Sequence, residues 1–186
     1  MRVSTSDPPL DAGQASARKD DLETILTLAG ALCGKEPQQR WQARTALLRI
    51  GSPATPHLID LLRHGDECPR WEAAKVLSDL GDPAAALVDA LEDKSFGVRW
   101  LAAESLIRLG HQGLKPLFEA LAERPHSAWL REGAHHVLRV LVGHHLDDHI
   151  LPVLNALEDV EPALEVPRAA RLALDGLAHD PGSAPP

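Results

Sequence analysis

Tyrosine is absent from the 186 residues, phenylalanine occurs twice and aromatics reach only 3%. The core must therefore be aliphatic. Basic residues are also short: 19 Lys and Arg face 27 Asp and Glu, a net charge of −8. Nucleic acid and anionic membranes both select a basic face, so neither is expected as a partner. There are two cysteines, Cys33 and Cys68, with no CxxC and no zinc spacing. The expectation is two separate, buried thiols in a reducing, cytoplasmic setting rather than a disulfide framework. No uninterrupted apolar run approaches a membrane span, and the first residues carry no apolar leader core, so neither a transmembrane helix nor a signal peptide is expected. What remains is a chain that is 44% hydrophobic, too apolar to stay unfolded.

That apolar content is periodic. Arg40-Trp41-Gln42-Ala43 leads to Ala46-Leu47 and Ile50-Gly51; Arg70-Trp71-Glu72-Ala73 leads to Val76-Leu77 and Leu80-Gly81; Arg99-Trp100-Leu101-Ala102 leads to Ser105-Leu106 and Leu109-Gly110. A weaker copy is Arg131-Glu132-Gly133-Ala134, and a degraded one is Arg168-Ala169-Ala170 with its Arg one position late. Arg40 to Arg70 is 30 residues, Arg70 to Arg99 is 29, and Arg99 to Arg131 is 32. Apolar residues at i, i+3, i+4 and i+7 mark each copy as an amphipathic helix. The closing Gly provides a stop, and Pro53 and Pro83 suit the start of the next helix. A second apolar run completes each unit: Leu58-Ile59-Leu61-Leu62, Leu87-Val88-Ala90-Leu91, Leu117-Phe118-Ala120-Leu121 and Val153-Leu154-Ala156-Leu157. The same run appears upstream as Leu28-Ala29-Ala31-Leu32.

One such hairpin cannot bury its apolar face alone, so the units must stack. The expected fold class is an all-α solenoid of about ten helices over residues 20–178: a half-unit, four units and a half-unit. Residues 1–19 and 179–186 are expected to be disordered tails.

The Arg-x-x-Ala, the Leu-x-x-Leu/Ile-Gly end and the period near 30 resemble HEAT-like repeats, in particular the short type named for phycobilin lyases. The resemblance covers about 150 residues. It implies an armadillo-like architecture in which second helices line the concave face. It implies almost nothing about activity. Deoxyhypusine hydroxylase is built from similar repeats and holds two irons through His-Glu dipeptides just after the repeat Arg. Here only Glu72 fits that pattern, no His fills the ligand position, and that activity is rejected. HEAT-type DNA glycosylases are disfavoured by the acidic charge and short array.

Four groups of residues are candidates for function. Trp41, Trp71 and Trp100 share one repeat position, pointing away from their own hairpin core. Stacking would align them at steps of roughly 10 Å. They form either an aromatic binding strip or packing between neighbouring units, with Trp129 out of register. The recurring Arg40, Arg70, Arg99 and Arg131 are expected to be structural, pairing with carboxylates of the preceding loops such as Asp66 or Asp93. Asp60, Asp89 and Glu119 recur in the second helices. They form either an acidic groove for a basic protein segment or a solvated face. Five of the ten histidines, His135, His136, His144, His145 and His149, fall within fifteen residues. His145 and His149 with Asp148 are a weak metal candidate, and no HExxH accompanies them.

No catalytic constellation, phosphate loop or nucleotide fingerprint is present, and no cofactor is expected. The expected function is a protein-interaction scaffold, monomeric or weakly dimeric, offering Trp41, Trp71, Trp100, Asp60, Asp89 and Glu119 to a partner protein with a basic segment. The alternative implied by the resemblance is a bilin lyase-like subunit that handles a tetrapyrrole on a carrier protein.

Overall fold

A computed structural model describes residues 12–81, 84–143 and 147–179, with side chains from Leu22 onward. Among the described residues there are ten α-helices, one 3-10 turn and no strand. The helices are α1 (Ala12–Ala31), α2 (Pro37–Ile50), α3 (Thr55–His64), α4 (Glu67–Leu80), α5 (Ala84–Ala90), α6 (Phe96–Leu109), α7 (His111–Glu123), α8 (Ala128–Leu141), α9 (Asp147–Leu157) and α10 (Pro162–His179). The all-α solenoid read from the repeat is therefore the fold.

The glycine stops work as the pattern predicts. Gly51, Gly81 and Gly110 close α2, α4 and α6 with φ of 72°, 78° and 58°, a region that side chains with a Cβ rarely enter. Pro53 falls in the 3-10 turn Ser52–Ala54 that leads into α3. Pro83 lies outside the described residues.

The helices form two layers. In the first, α2, α4, α6 and α8 each touch the next; in the second, α1, α3, α5 and α7 do the same. Between the layers runs one aliphatic core, with Leu47, Leu58, Leu77, Leu87, Leu106 and Leu117 completely buried. Each such leucine contributes about 1.5–3 kcal/mol relative to exposure. Phe118 is the one aromatic buried there among the described residues.

The repeat arginines are structural, but their acceptors differ from those expected. Each turns back onto a main-chain carbonyl of the loop before its helix. Arg40 Nη1 donates to Gly34 at 2.8 Å, Arg70 Nη1 to Gly65 at 2.9 Å, Arg99 Nη1 to Asp93 at 2.7 Å, and Arg131 Nη1 to Pro125. A cation at a helix start is poorly placed for its own dipole. These guanidiniums sit instead at the carbonyl-rich end of the preceding helix, where positive charge is favourable. The Asp93 carboxylate goes to Arg70, 23 residues upstream, through bonds of 2.7 and 3.1 Å. That pair is nearly sealed from solvent, at 4% and 9% exposure.

Three further departures stand out. First, Cys33 and Cys68 are not separate buried thiols: they form a disulfide with Cα atoms 6.1 Å apart. Cys33 is half-buried and Cys68 exposed. The step from separate thiols to a reducing compartment no longer holds. Spacing along the chain carried no trace of the pair, because solenoid stacking brings the turn after α1 beside the first turn of α4. Second, α1 begins at Ala12, ahead of the expected boundary at 20. The sequence AGQASARKDD there has helix-forming residues but no apolar stripe to reveal it. Third, α10 does not stack on α8 as the degraded fifth first helix would. It packs against α9 and α7, with Val166, Ala170 and Ala173 buried and Arg171 Nη2 donating to the Ala122 carbonyl at 3.3 Å. This helix covers the end of the second layer.

Candidate functional site: an aromatic groove between α6 and α8

The first layer is not uniform. On α6, Phe96, Arg99, Trp100 and Ala103 fall at i, i+3, i+4 and i+7, so they share the stripe that faces α8. On α8, Trp129, Gly133, His136 and Val140 make the answering stripe. Between them lies a groove of about 590 Å³, floored by Leu91 and Ala103. Its aromatic walls remain open to solvent: Phe96 is 66% exposed, Trp100 50% and Trp129 45%.

The groove exists because the repeat changes here. The tryptophan position of the earlier units holds Glu132 in the fourth, and the next position, Gln42, Glu72 and Leu101 in earlier units, holds Gly133. Gly133 sits so close to Leu91 that a Cβ would come within 2.9 Å of Leu91 Cδ2. The α8 backbone thus approaches the floor directly, and no large side chain fills the space above it.

The polar groups in the groove are held in place. The Arg99 guanidinium lies 4.5 Å from the Trp129 ring centroid and 5.7 Å from that of Phe96 while it donates to the Asp93 carbonyl. The His136 ring lies 5.0 Å from Trp100, and its Nε2 is 3.1 Å from Glu104. His135 Nε2 is 2.9 Å from Glu158, whose carboxylate also lies 3.7 Å from Arg139. A surface already fixed in this way loses little side-chain freedom when something docks on it.

Of the residues singled out in the sequence, Trp100, Arg99, Trp129, His135 and His136 line this groove; Trp41 and Trp71 do not. Trp41 is 63% exposed on α2. Trp71 is half-buried, with Lys75 Nζ 4.9 Å above its ring and its Cδ1 3.7 Å from where a Cβ on Gly97 would stand, so it lies along the first turn of α6. Asp60, Asp89 and Glu119 lie on α3, α5 and α7, the other layer. Asp60 is 3.8 Å from His64 and Glu119 is 4.0 Å from Lys115. Asp89 stands between Arg63 at 3.1 Å and Arg124 at 3.2 Å. Glu72, the one residue matching the iron-binding pattern, is buried and paired with Arg44 of the preceding unit.

Of the metal candidates, His145 lies outside the described residues, as does His144. Asp148 is exposed at the start of α9. His149 packs against α10: its imidazole occupies the space a side chain at Gly176 would need. Among the described residues, no group of three or more His, Cys, Asp or Glu is placed to hold a metal ion.

Reading along single helices missed Phe96, Trp129, Gly133 and His136 as one site. The available signal was the out-of-register Trp129 beside the loss of Trp at position 132.

Comparison with known proteins adds one finding to this geometry. The family model described as HEAT repeats matches residues 55–139. The match runs from α3 through most of α8 and so takes in every lining residue of the groove except Val140. Over residues 55–139 the repeats are similar to HEAT repeats; the match carries no mark of the phycobilin-lyase type. No curated protein matches the chain. No described helix is long and apolar enough to cross a membrane.

Proposed function

We propose that this chain is a protein-interaction module whose docking surface is the aromatic groove between α6 and α8. The observation that carries the reading is the concentration of half-exposed Phe96, Trp100 and Trp129 around a guanidinium already stacked between two of them. Tryptophan and arginine dominate binding energy at protein interfaces, and exposed aromatic clusters of this kind are uncommon on surfaces with no partner. HEAT repeats commonly serve as interaction scaffolds, and the rigid two-layer stack gives the groove fixed walls. The partner inserts apolar or aromatic side chains between the two stripes.

The wider tryptophan strip, Trp41, Trp71 and Trp100, is proposed as a secondary extension of that surface, with its outermost member, Trp41, adding little to binding. The second-layer column Asp60, Asp89 and Glu119 is proposed as a separate contact for a basic segment of the partner. The module acts as a monomer or weak dimer. A cytoplasmic location belongs to the same proposal, and there thiol-reducing systems would act on the Cys33–Cys68 pair.

Affinity capture from host lysate tests the reading, using the wild-type chain, a Trp100→Ala/Trp129→Ala variant and a Trp41→Ala variant, each checked for helicity. The expected result is one dominant protein, lost with the groove variant and retained with Trp41→Ala. Retention with the groove variant contradicts the assignment. A tetrapyrrole handled in the same groove would instead give a coloured eluate, since the groove's volume lies in the range of small-molecule sites.

A further inference from the structure

We infer that the Cys33–Cys68 disulfide is a reversible clasp on the N-terminal helix, opened by thiol–disulfide exchange with a dithiol. The two cysteines join the turn after α1 to the first turn of α4 and pass over all of α2 and α3. No other step of the solenoid is joined covalently among the described residues. The inner units are tied by ion pairs between neighbours: Arg44 to Glu72, Arg63 to Asp89, Arg70 to Asp93 and Arg124 to Glu92.

The anchoring of α1 explains why a clasp matters at this place. From Leu22 onward, α1 and the turn after it bury only Ile25, Ala29 and Leu32, while Leu22 and Leu26 face solvent at 37% and 56% exposure. A single terminal helix whose described part is held by these buried residues and by half-buried Leu28 and Ala31 lies at the low-stability end of the structure and opens first. The bond restricts that opening to excursions that keep Cys33 beside Cys68. Reduction leaves α1 with its apolar contacts and the hold of Arg40 on the Gly34 carbonyl in the turn after it, and lets the helix leave the apolar side of α2 and α3.

Access to the bond is one-sided. Cys68 is exposed and Cys33 half-buried, so a reductant's thiolate meets the Cys68 sulfur first. Attack there forms a mixed disulfide and releases Cys33, which takes up a proton as a thiol. The reductant's second thiol then closes its own disulfide and releases Cys68. Two electrons pass from the dithiol to the pair, and both cysteines end as thiols. Asp66 and Glu67 directly precede the exposed Cys68, so a reductant with a cationic or neutral rim around its dithiol approaches more readily than an acidic one.

The test is hydrogen exchange with mass detection on the full chain in three forms: oxidised, reduced by thioredoxin with its reductase, and the Cys33→Ser/Cys68→Ser variant. The inference expects an intact mass with both thiols oxidised in the first form. On reduction, exchange in residues 22–32 should rise at least about tenfold while residues 96–141 hold their protection. Reoxidation should restore protection. The double variant should match the reduced protein and ignore the reductant. The thermal midpoint should fall by roughly 10 °C, from the entropy of the 35-residue loop the bond closes. Four results overturn the inference: two free thiols after mild oxidation; a bond that thioredoxin cannot reduce in the native protein; unchanged exchange in residues 22–32 after reduction; or loss of protection along the whole chain.

Discussion

The step from α4 to α6 and the step from α6 to α8 use the same repeat and reach opposite ends. In the first, Arg70 and Asp93 form a buried pair and Trp71 lies half-covered along the first turn of α6. That step is packed shut. In the second, the pattern substitutes Glu132 for tryptophan and Gly133 for a larger side chain, and a groove appears whose walls are Phe96, Trp100 and Trp129. Repetition builds the scaffold, and departure from repetition makes the site. In a solenoid each interface is solved nearly independently of the others, so one unit can drop a packing residue without destabilising its neighbours.

The comparison can be broken hardest at its filled step. Arg70→Ala strands Asp93 in a buried position and should cost about 3–5 kcal/mol in a denaturant titration. A cost near that of a surface substitution would mean that the filled step is not held by this pair. At the open step the largest effect falls on binding. Trp100→Ala should weaken partner binding by about 2 kcal/mol or more, some thirtyfold, in a direct titration, while global stability shifts by about 1 kcal/mol or less. A loss of stability larger than the loss of binding would place Trp100 in the packing rather than at the interface.

Converting the open step toward the filled one is a sharper probe. Gly133→Leu restores the residue type found at Leu101. Its side chain would meet Leu91, so a cost of about 1–3 kcal/mol is expected from overpacking. Partner binding should fall with it, because the groove is then filled. Unchanged affinity in a folded Gly133→Leu variant would separate binding from the groove. The smallest effect belongs to Trp41→Ala, on an exposed face outside the groove. Stability should change by about 0.5 kcal/mol or less, and binding should persist. A strong loss of binding there would favour the wider tryptophan strip over the groove alone.

Legibility in the sequence depends on how local each feature is. The i, i+3, i+4, i+7 stripes and the terminal glycines are local, so about ten helices and the stops at Gly51, Gly81 and Gly110 are readable from the residues themselves. The repeat arginines were legible as structural. Their carbonyl acceptors were not, because a carbonyl leaves no mark in the sequence, whereas Asp66 and Asp93 are conspicuous. Asp93 proved to serve Arg70 of the preceding unit, a proximity that only stacking supplies. The cysteine pair was hidden for the same reason. The position of α10 was hidden because its copy of the repeat is degraded, with Arg168 one place late and Pro167 within the helix.

The candidate site was half visible. Trp100 stood out through its place in the tryptophan column. Trp129 stands out of register, Phe96 has no place in the repeat motif, and Gly133 belongs to it only through the weaker fourth copy. A groove between two helices is a property of the pair, and a reading that aligns like positions sees what recurs before it sees what is missing. The acidic column on α3, α5 and α7 drew notice for the same reason, although Asp89 is flanked by Arg63 and Arg124 in the folded chain.

The most direct test of the account is a hydrogen-exchange footprint of the chain with and without the partner recovered by affinity capture. The account predicts new protection centred on residues 96–103 and 129–140, the two stripes that face each other across the groove. Protection centred on α3, α5 and α7, with the α6 and α8 stripes unchanged, would contradict it.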